Sequence, residues 1–370
     1  MADRGFEALR IAREIGPDAV IAAVTESGLV GRGGAGFPTG RKWEAVRAQP
    51  ATPHYLVCNA DESEPGTFKD RTLIENDPFA LIESMCIAAV ATDCEQGYIY
   101  LRGEYPRARL TLEAAIVACR ERNLLGGGTG FDVTLVRGAG AYICGEETAI
   151  FNSIEGYRGE PRNKPPFPFQ EGLFAKPTVV NNVETLMNVP YVLLDGYGAD
   201  HRLFCLSGAV RRPGVYEVPS GETLADLIER AGLHEGSEVS AVLLGGAAGN
   251  FVGPDDLDLV LAPDEARAAG LSLGSGVVMV FDQNADLDDL IRRIAAFFRD
   301  ESCGQCVPCR VGTVRQEEAI ERILAGGDRE VDLALLNEIG VAMRDASICG
   351  LGQTAYNAIE SAVVRLGALR

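Results

Sequence analysis

The sequence predicts an α/β layer, followed by a small β-rich region and a helical C-terminal region. Helical periodicity alternates with short apolar strands as far as about residue 196, which is the pattern of an α/β layer. Strand patterns with a single helix follow from about residue 202, and helical periodicity resumes at Asp286. At 370 residues, the chain is long enough for two or three domains with separate cores.

The predicted α/β layer opens with helical sequence up to Gly28, in which Pro17 begins a second helical stretch. Asp77 and Pro78 begin a later helix that the spacing of its apolar residues makes amphipathic. The other elements predicted here are helices at 43–47 and 106–122 and strands at 55–58, 97–102 and 131–137.

The β-rich region is predicted to contain one helix, at 223–231, and a turn at Arg212-Pro213-Gly214. Its predicted strands are 204–207, 215–218, 239–244 and 277–282. We interpret this region as structural or as a docking surface. The helical region from Asp286 is interrupted by a cysteine-containing loop at 301–309.

Composition excludes several classes of protein. A formal net charge of −19 argues against nucleic acid and anionic membrane surfaces as partners, and leaves a basic partner open. The apolar run at 80–91 is interrupted by Glu83 and Ser84 and is too short to span a bilayer. The amino end lacks the pattern of a signal peptide, so we expect a cytoplasmic protein with reduced cysteines unless they bind metal. Only three histidines occur, none at ligand spacing, which disfavours histidine-based chemistry.

A glycine-rich stretch at 31–42 is the first candidate site. It reads Gly-Arg-Gly-Gly-Ala-Gly-Phe-Pro-Thr-Gly-Arg-Lys, with five glycines in its first ten positions. Without Cβ atoms, the main chain can adopt positive φ and lie directly against a bound group. Arg32, Arg41 and Lys42 add positive charge, which favours a phosphate-bearing ligand. A glycine-rich surface turn without a ligand is the alternative.

Two phosphate-binding motifs fit this stretch poorly. A Walker A loop fails because Arg41 follows Gly40 and Trp43 follows Lys42. Gly31, Gly33 and Gly36 satisfy G-x-G-x-x-G, but that fingerprint should follow a strand and open a helix. The preceding residues look helical, and Pro38 and Gly40 stand where the next helix would begin. The Rossmann signal is therefore weak.

Three further segments carry polar side chains where ligands commonly bind. Acidic and amide residues at 59–71 follow the predicted strand 55–58, at the position where open α/β sheets bind ligands, although a solvated turn would look the same. Glu146 and Glu147 follow Gly145 in the first turn of a predicted helix, where the helix dipole alone would favour them. Asn181 and Asn182 precede another helix and could line a pocket or act as caps. The proline-rich segment 156–177 is functional, disordered or a rigid brace.

The cysteines carry the strongest metal signal. Cys303, Cys306 and Cys309 form a C-x2-C-x2-C run, and Cys349 lies far along the chain. Zinc sites more typically use two separated C-x2-C pairs or histidines, whereas a [4Fe–4S] cluster takes three ligands from one loop and a fourth from elsewhere. Iron–sulfur is therefore favoured over zinc. We expect the other six to be small buried hydrophobes: Cys58, Cys86, Cys94, Cys119, Cys144 and Cys205.

A one-electron cluster and a phosphate-binding cradle in one chain indicate a nucleotide redox cofactor, and flavin is the obvious intermediary. Taken together, segments 31–43, 59–71, 141–168, 178–185 and 301–310, with Cys349, closely resemble the flavin-bearing, NADH-binding subunit of respiratory complex I. They are similar also to the related subunits of NAD-reducing hydrogenases and NAD-dependent formate dehydrogenases. The resemblance covers residues 28–352.

The resemblance implies three domains and their ligands. A modified Rossmann-like domain at 1–199 would bind FMN and NADH, a β-grasp domain of the soluble ligand-binding type would follow at 200–284, and a helical bundle at 285–370 would hold a [4Fe–4S] cluster. The expected cluster ligands are Cys303, Cys306, Cys309 and Cys349. NADH would stack on Phe37 and Phe167, and its polar parts would meet Glu64, Glu147 and Lys164. The expected FMN contacts are Gly31, Arg32, Gly33, Gly34, Lys42, Asn59, Asp61, Glu62, Tyr142, Gly145, Glu146, Asn181, Asn182 and Thr185.

The activity implied is that of an NADH dehydrogenase, in which FMN takes a hydride from NADH and passes single electrons to the cluster. No side chain need act as acid or base. The implied partners are a thioredoxin-like [2Fe–2S] subunit and a larger multi-cluster iron–sulfur subunit. The chain would be cytoplasmic, or peripheral at the inner face of the membrane through its complex.

Two alternatives stay open. In a formate dehydrogenase, a hydrogenase or a flavin-bifurcating complex, the same chemistry would run in reverse and make NADH. A flavin-free, metal-binding scaffold is the alternative outside enzymes, and colour distinguishes it, because FMN with a cubane cluster gives a yellow-brown protein.

Overall fold

The computed structural model describes residues 4–197 and 200–370. These residues form two compact units, one comprising 4–63, 68–197 and 200–201, and the other Glu64–Thr67 with Arg202–Arg370. The division into domains at 1–199, 200–284 and 285–370 stays a prediction, and residue 199 itself lies outside the described part of the chain.

The first unit is an α/β layer, as predicted. Its helices are α1 (Glu7–Ile15), α2 (Pro17–Glu26), α3 (Thr39–Arg47), α4 (Lys69–Asn76), α5 (Pro78–Thr92), α6 (Pro106–Glu121), α7 (Glu147–Ile154) and α8 (Val183–Asp195). Its strands are β1 (His54–Ala60), β2 (Cys94–Leu101), β3 (Asp132–Arg137) and β4 (Thr178–Asn182).

The four strands form a parallel sheet in the order β3-β2-β1-β4. The chain moves outward from β1 through β2 to β3 and then returns to the other side of β1, so the direction of winding reverses between β1 and β4. Open α/β sheets bind ligands beyond the carboxyl ends of the strands at such a switch point. Here the two strand ends are in register, with Cys58 opposite Asn181 and Asn59 opposite Asn182.

The helix predicted at 43–47 starts four residues earlier, at Thr39, and includes Gly40. Gly40 is needed there because a Cβ atom would lie 2.0 Å from Thr25 Oγ1 on α2. Our objection that Pro38 and Gly40 prevent a helix from starting after the glycine stretch is therefore wrong. The objection that no strand precedes the stretch is confirmed, because α2 precedes it.

The helix that we predicted to be amphipathic is α5, and that prediction is wrong. Thirteen of its fifteen residues are buried, because α5 packs against β1 and β2 and against α1, α2, α3 and α8. Phe79, an apolar residue of this helix, is nevertheless 45% exposed. Asp77 caps this helix as expected, accepting the N–H of Ala80.

The second unit combines a mixed sheet with seven helices among its described residues. Its strands are β5 (His201–Gly208), β6 (Gly214–Pro219), β7 (Val239–Leu244), β8 (Asn250–Val252) and β9 (Val277–Asp282), in the order β6-β5-β9-β7-β8. Its helices are α9 (Leu224–Ala231), α10 (Pro263–Ala268), α11 (Leu287–Glu301), α12 (Val307–Leu324), α13 (Arg329–Ala346), α14 (Gly350–Thr354) and α15 (Asn357–Leu366).

The two faces of this mixed sheet contribute to different cores. Val242 and Leu244 of β7 pack with Leu227 and Ile228 of α9. The alternate residues Ala241 and Leu243 pack with apolar residues of the C-terminal helices, among them Ile291, Ile320 and Ile359. The alternation along one strand thus places the helices that carry the cysteines on one face of the sheet. Strand β8 was missed because it has only three residues.

Among the described residues, no helix has both the length and the apolar character needed to cross a membrane.

Candidate functional site

The glycine stretch forms a closed loop that presents its main chain to solvent. The N–H of Gly31 donates to the Phe37 carbonyl (2.9 Å), and the N–H of Thr39 donates to the Leu29 carbonyl (2.9 Å). Gly34 and Gly36 have φ of 120° and 63°, which favour glycine. Residues 33–38 are exposed. The geometry is that of a cradle with few side chains between its backbone and a ligand.

The loop rests on the start of α8. Arg32 is only 1% exposed, its N–H donates to Thr185 Oγ1 (2.8 Å), and its guanidinium donates to the His201 carbonyl (2.9 Å). A Cβ atom on Gly33 would lie 3.2 Å from Asn182 Cβ. The loop therefore meets the carboxyl end of β4, and the Arg32 side chain is buried support rather than a solvent-facing cation.

Lys42 connects the loop to the acidic start of α7. Its Nζ donates to the Val180 carbonyl (2.9 Å), lies 4.0 Å from Glu147 Oε2, and stands 5.9 Å from the centre of the Phe37 ring. Burial lowers the pKa of Lys42, and the nearby Lys164 adds to this effect while Glu147 opposes it. The neighbouring Arg41, in the first turn of α3, is exposed.

The carboxylates of Glu146 and Glu147 share one lysine. Glu146 caps α7, accepting the N–H groups of Thr148 (2.8 Å) and Ala149 (3.0 Å), a capping role that we did not predict from the sequence. Lys164 Nζ donates to Glu146 Oε1 (2.9 Å) and Glu147 Oε1 (2.7 Å). Burial lowers the pKa of Lys164, but these two carboxylates outweigh it and the pKa is raised.

The polar residues after β1 meet the 3-10 helix Tyr142–Gly145. Asn59 Nδ2 donates to the Gly145 carbonyl (2.8 Å), and Asn59 Oδ1 accepts the N–H of Asp61 (3.1 Å). A Cβ atom on Gly145 would lie 3.7 Å from the Asp61 carbonyl oxygen. Segments 59–63 and 142–147 therefore lie together at the switch point. The sequence predicts the position of 59–63 at a strand end, but not their contact with 142–147.

Both asparagines before α8 have structural roles. Asn181 Oδ1 accepts the indole N–H of the fully buried Trp43 (2.9 Å). Asn182 Oδ1 accepts the N–H of Thr185 (3.4 Å) as the helix cap, while its Nδ2 donates to Asp70 Oδ2 (2.5 Å). These contacts fix the end of β4 against the glycine loop.

Sequence reasoning missed a buried ionic cluster beside these residues, formed by Lys69, Asp70 and Glu184. Lys69 is 1% exposed, and its Nζ lies 2.8 Å from Asp70 Oδ1 and 2.9 Å from Glu184 Oε2. Burial lowers the pKa of Lys69, but Asp70, Glu184 and Glu62 outweigh it and raise the pKa. No periodicity signal could have identified a fully buried lysine at the start of a polar helix.

Glu62 joins this cluster through main-chain contacts. Its two oxygens accept the N–H groups of Asp70 (2.8 Å) and Arg71 (3.0 Å), and the hydroxyl of Tyr105 donates to it (3.1 Å). Burial and the charge of Asp70 raise the pKa of Glu62 to about 7, while Lys69 and the two N–H groups oppose the shift. Glu62 is thus a group near this site that titrates close to neutrality.

Two predicted stacking rings are solvent-facing. Phe37 is 49% exposed and Phe167 is 44% exposed. Phe167 is stacked parallel on Phe169, with ring centres 5.8 Å apart. Glu64, the remaining residue predicted to meet NADH, belongs to the second unit, where its Oε1 accepts the N–H of Ala248 (3.1 Å).

Three of the four predicted cluster ligands lie at helix starts in the second unit, and the fourth lies in the loop before α12. Cys303 lies between α11 and α12, Cys306 precedes the first residue of α12, Cys309 is in its first turn, and Cys349 precedes α14. A Cβ atom on Gly352 of α14 would lie 2.9 Å from Cys309 Cβ, so the two helix starts meet. Helix N-termini favour the negative charge of thiolates.

Within the described residues, no three His, Cys, Asp or Glu side chains converge tightly enough to hold a single metal ion. A cubane presents a separate iron to each cysteine, so its ligands stand further apart than those of one ion. Ser347 Oγ is buried and has no hydrogen-bond partner among the residues described, which suits a site completed by a further acceptor. The residues present therefore fit a cluster.

The other six cysteines are all buried, as predicted. Burial raises the pKa of Cys86 and of Cys94 to about 12, so these groups remain thiols.

The residues of the glycine loop fit FMN. Thr39 Oγ1 at the start of α3 is buried without a hydrogen-bond partner among the described residues, which suits a site completed by a ligand.

Three family models match the chain. Residues 24–191 match the Nuo51 FMN-binding domain, residues 203–237 match the SLBB domain, and residues 289–366 match the NADH-ubiquinone oxidoreductase-F iron-sulfur binding region. These matches confirm the predicted fold class and cofactors. The assignment of individual residues to FMN, NADH and the cluster stays a prediction.

Similar proteins cover nearly the whole chain. The F 2 subunit of the NADH-quinone oxidoreductase of Rhizobium meliloti (strain 1021) is 44% identical, over 98% of this chain and 90% of the relative. The HndC subunit of the NADP-reducing hydrogenase of Solidesulfovibrio fructosivorans is 40% identical, over 98% of this chain and 77% of the relative.

A crystal structure of an NAD+-reducing [NiFe]-hydrogenase in the H2-reduced state matches with a TM-score of 0.90 and 38% identity. The match covers 99% of this chain, which spans 64% of the hydrogenase chain. The chain therefore belongs to the family that comprises the F subunits of NADH-quinone oxidoreductases and the related hydrogenase subunits, with an FMN-binding domain and an iron–sulfur binding region of that family.

Proposed function

We propose that this chain oxidises NADH within a multi-subunit redox complex and delivers single electrons to partner iron–sulfur subunits. The observation that carries this proposal is the convergence of the glycine loop, segments 59–63 and 142–147, and the start of α8 at the switch point of a parallel sheet. Bound FMN would supply the conversion of a two-electron hydride donor into a source of single electrons.

The residues proposed for FMN hold and orient it without proton chemistry. The bare main chain of the loop suits close contact with the ribityl chain and phosphate, while Lys42 offers an ammonium group held by the Val180 carbonyl. The full proposed set is Gly31, Arg32, Gly33, Gly34, Lys42, Asn59, Asp61, Glu62, Tyr142, Gly145, Glu146, Asn181, Asn182 and Thr185.

The residues proposed for NADH in the first unit are Phe37, Glu147, Lys164 and Phe167. The two exposed rings offer stacking faces, and the Glu147–Lys164 pair offers an acceptor and a donor for polar groups of the dinucleotide. Glu147 near the adenosine ribose would disfavour the 2′-phosphate of NADPH. Glu64 keeps its predicted role from the sequence resemblance alone.

The cluster proposed for Cys303, Cys306, Cys309 and Cys349 would pass electrons to a partner. Three valines of α12 at helical spacing, Val307, Val311 and Val314, are 58%, 46% and 37% exposed beside these cysteines. Such an apolar stripe supports a protein partner at this helix. The proposed partners are a thioredoxin-like [2Fe–2S] subunit and a larger multi-cluster subunit, and the complex would be cytoplasmic or peripheral at the inner face of the membrane.

A second direction is favoured by the hydrogenase relatives. In a hydrogenase or formate dehydrogenase complex, the same residues would bind NAD+ and the chain would reduce it. Co-purification from the native host, with identification of the associated subunits, distinguishes these assemblies.

The experiment that tests the proposal compares FMN binding by the wild-type protein and by Gly33→Val. Gly33 lies on the exposed loop with Asn182 Cβ 3.2 Å from its Cβ position, so a branched side chain would obstruct the cradle. Gly128→Val is the matched control, because nothing lies within 4 Å of that Cβ position. The Kd for FMN is measured by the quenching of FMN fluorescence. We expect this Kd to rise at least roughly tenfold in Gly33→Val and to stay at the wild-type value in Gly128→Val. Equal Kd values for the two variants, or a wild type that binds no FMN, would reject the proposal.

A further inference from the structure

Ser302 and Ser347 place two hydroxyl groups beside Cys309. Ser302 Oγ lies 3.2 Å from Cys309 Sγ. Ser347 Oγ and Cys309 Cβ both approach the Cβ position of Gly352, at 2.3 Å and 2.9 Å, so both atoms lie close to the same point. Neither serine was singled out from the sequence, where attention falls on the cysteines.

The direction of the Ser302 hydrogen bond follows from its second contact. The N–H of Gly304 donates to Ser302 Oγ (3.3 Å), which occupies a lone pair of the hydroxyl and leaves its proton for another acceptor. A cysteine bound to iron is a thiolate and has no proton to give. Ser302 is therefore the donor and Cys309 Sγ the acceptor whenever the cysteine is a ligand.

The Ser347 hydroxyl needs an acceptor that the described residues do not supply. Ser347 is 7% exposed, and its Oγ has no hydrogen-bond partner among them, although its N–H and carbonyl are both used. A buried hydroxyl without a partner is unfavourable and is rare in folded proteins. Sulfur atoms of a cluster at the adjacent cysteines would satisfy it.

We propose that Ser302 and Ser347 are hydrogen-bond donors to the sulfur atoms of the cluster and raise its reduction potential. This inference rests on the proposed function, because it requires a cluster at these cysteines. Reduction adds one electron to the cluster and leaves its Fe–S bonds and protons in place, so the reduced state carries one more negative charge. Donors aimed at the sulfurs stabilise that charge more than the charge of the oxidised state.

The buried Thr313 provides a matched control on the same helix. Its hydroxyl, one turn after Cys309, donates to the Cys309 carbonyl (2.9 Å) and is already satisfied. Thr313→Val therefore removes a buried hydroxyl near the same cysteine without removing a donor to sulfur. Ser302→Thr is the conservative variant, because it keeps a hydroxyl at the same position.

The test is a potentiometric titration of the reconstituted, full-length protein, followed by electron paramagnetic resonance of the reduced cluster, with iron and sulfide content measured for every variant. We expect Ser302→Ala and Ser347→Ala each to make reduction roughly tenfold less favourable, a shift of the midpoint by about 59 mV to more negative potential. Ser302→Thr and Thr313→Val should keep the wild-type midpoint. Unchanged midpoints in both alanine variants, with full iron and sulfide, would overturn this inference and leave the proposed function intact. A wild-type protein that assembles no cluster would overturn both.

Discussion

Lys164 Nζ lies 2.7 Å from Glu147 Oε1, and Lys42 Nζ lies 4.0 Å from the other oxygen of the same carboxylate. Glu147 thus stands between two ammonium groups at the start of α7. A ligand phosphate near this position would meet the two positive charges of Lys42 and Lys164 and the two negative charges of Glu147 and Glu146, which also accepts from Lys164. Removing the Glu147 carboxylate makes the net charge around such a phosphate more positive.

We expect Glu147→Gln to narrow the preference for NADH over NADPH by about tenfold or more in kcat/KM. A 2′-phosphate near Glu147 meets a repulsion of at most ~4 kcal/mol at ~4 Å with an effective dielectric of ~20, and solvent reduces this value. The variant also leaves Lys42 and Lys164 available to the phosphate. The measurement is the ratio of kcat/KM for the two dinucleotides.

Glu113→Gln is the control for that experiment. It removes a carboxylate of the same size from an exposed pair with Arg109 on α6. The ratio of kcat/KM for NADH to kcat/KM for NADPH should be the same in Glu113→Gln as in the wild type. If Glu147→Gln also keeps the wild-type ratio, Glu147 does not face the adenosine ribose.

The buried lysine of α4 gives a prediction about stability. Lys69→Met removes the cation between Asp70 and Glu184 and leaves both carboxylates buried without it. Breaking a buried ion pair in this way destabilises proteins by about 3–5 kcal/mol. Trp43, the single tryptophan of the sequence, is fully buried in the same unit, so its fluorescence reports the unfolding of that unit in urea.

Lys176→Met is the matched control, since Lys176 is partly exposed and in the same unit. We expect it to change the free energy of unfolding by less than about 1 kcal/mol. Equal urea midpoints for Lys69→Met and Lys176→Met would show that the ionic cluster around Lys69 contributes nothing to stability.

The raised pKa of Glu62 predicts that the stability of the folded protein depends on pH. Its folded pKa of about 7 lies above the ordinary value of 4.5, because burial and Asp70 disfavour the charged form. Between these values the folded state holds a proton that the unfolded state releases, so this contribution to stability is present at low pH and is lost as the pH rises through 7.

We therefore expect the urea midpoint of the wild type to fall, relative to that of Glu62→Gln, between about pH 5 and about pH 8. Glu113→Gln, with its exposed side chain, should follow the wild type throughout. If the urea midpoints of the wild type and Glu62→Gln change with pH in parallel, the raised pKa of Glu62 is contradicted.

The sequence predicted those parts of the structure that depend on local pattern. The alternation of helices and strands and the position of residues 59–61 at the carboxyl end of a strand follow from period and from the polar residues after an apolar run. The failures at Gly40 and α5 have one cause. Whether Gly40 fits a helix depends on Thr25 of another helix, and whether α5 is amphipathic depends on how many elements surround it.

The same limit explains why Lys69 and the two serines near Cys309 were missed. A lysine after a strand looks solvent-exposed until Glu184, more than a hundred residues away, is brought against it. Ser302 and Ser347 gain their significance only from their distances to Cys309. Local sequence carries no record of such contacts.

The cysteine assignment is tested by comparing Cys349→Ser with Cys119→Ser. Cys349 precedes α14 beside Cys309, whereas Cys119 lies buried on α6 in the other unit. We expect Cys349→Ser to lose the cluster, with iron and sulfide falling to a small fraction of the wild-type content, while FMN content is retained. Cys119→Ser should keep both. Full iron and sulfide content in Cys349→Ser would exclude it as a ligand.

The central claim is that a main-chain cradle holds a flavin that converts the two electrons of NADH into single electrons. The most direct measurement is ferricyanide reduction by recombinant protein reconstituted with iron, sulfide and FMN, since ferricyanide accepts one electron at a time. We predict that NADH bleaches ferricyanide only when FMN is present, and that Gly128→Val does so at the wild-type rate while Gly33→Val is impaired. Reconstituted protein that binds FMN and iron yet leaves ferricyanide unreduced when NADH is added would contradict the claim.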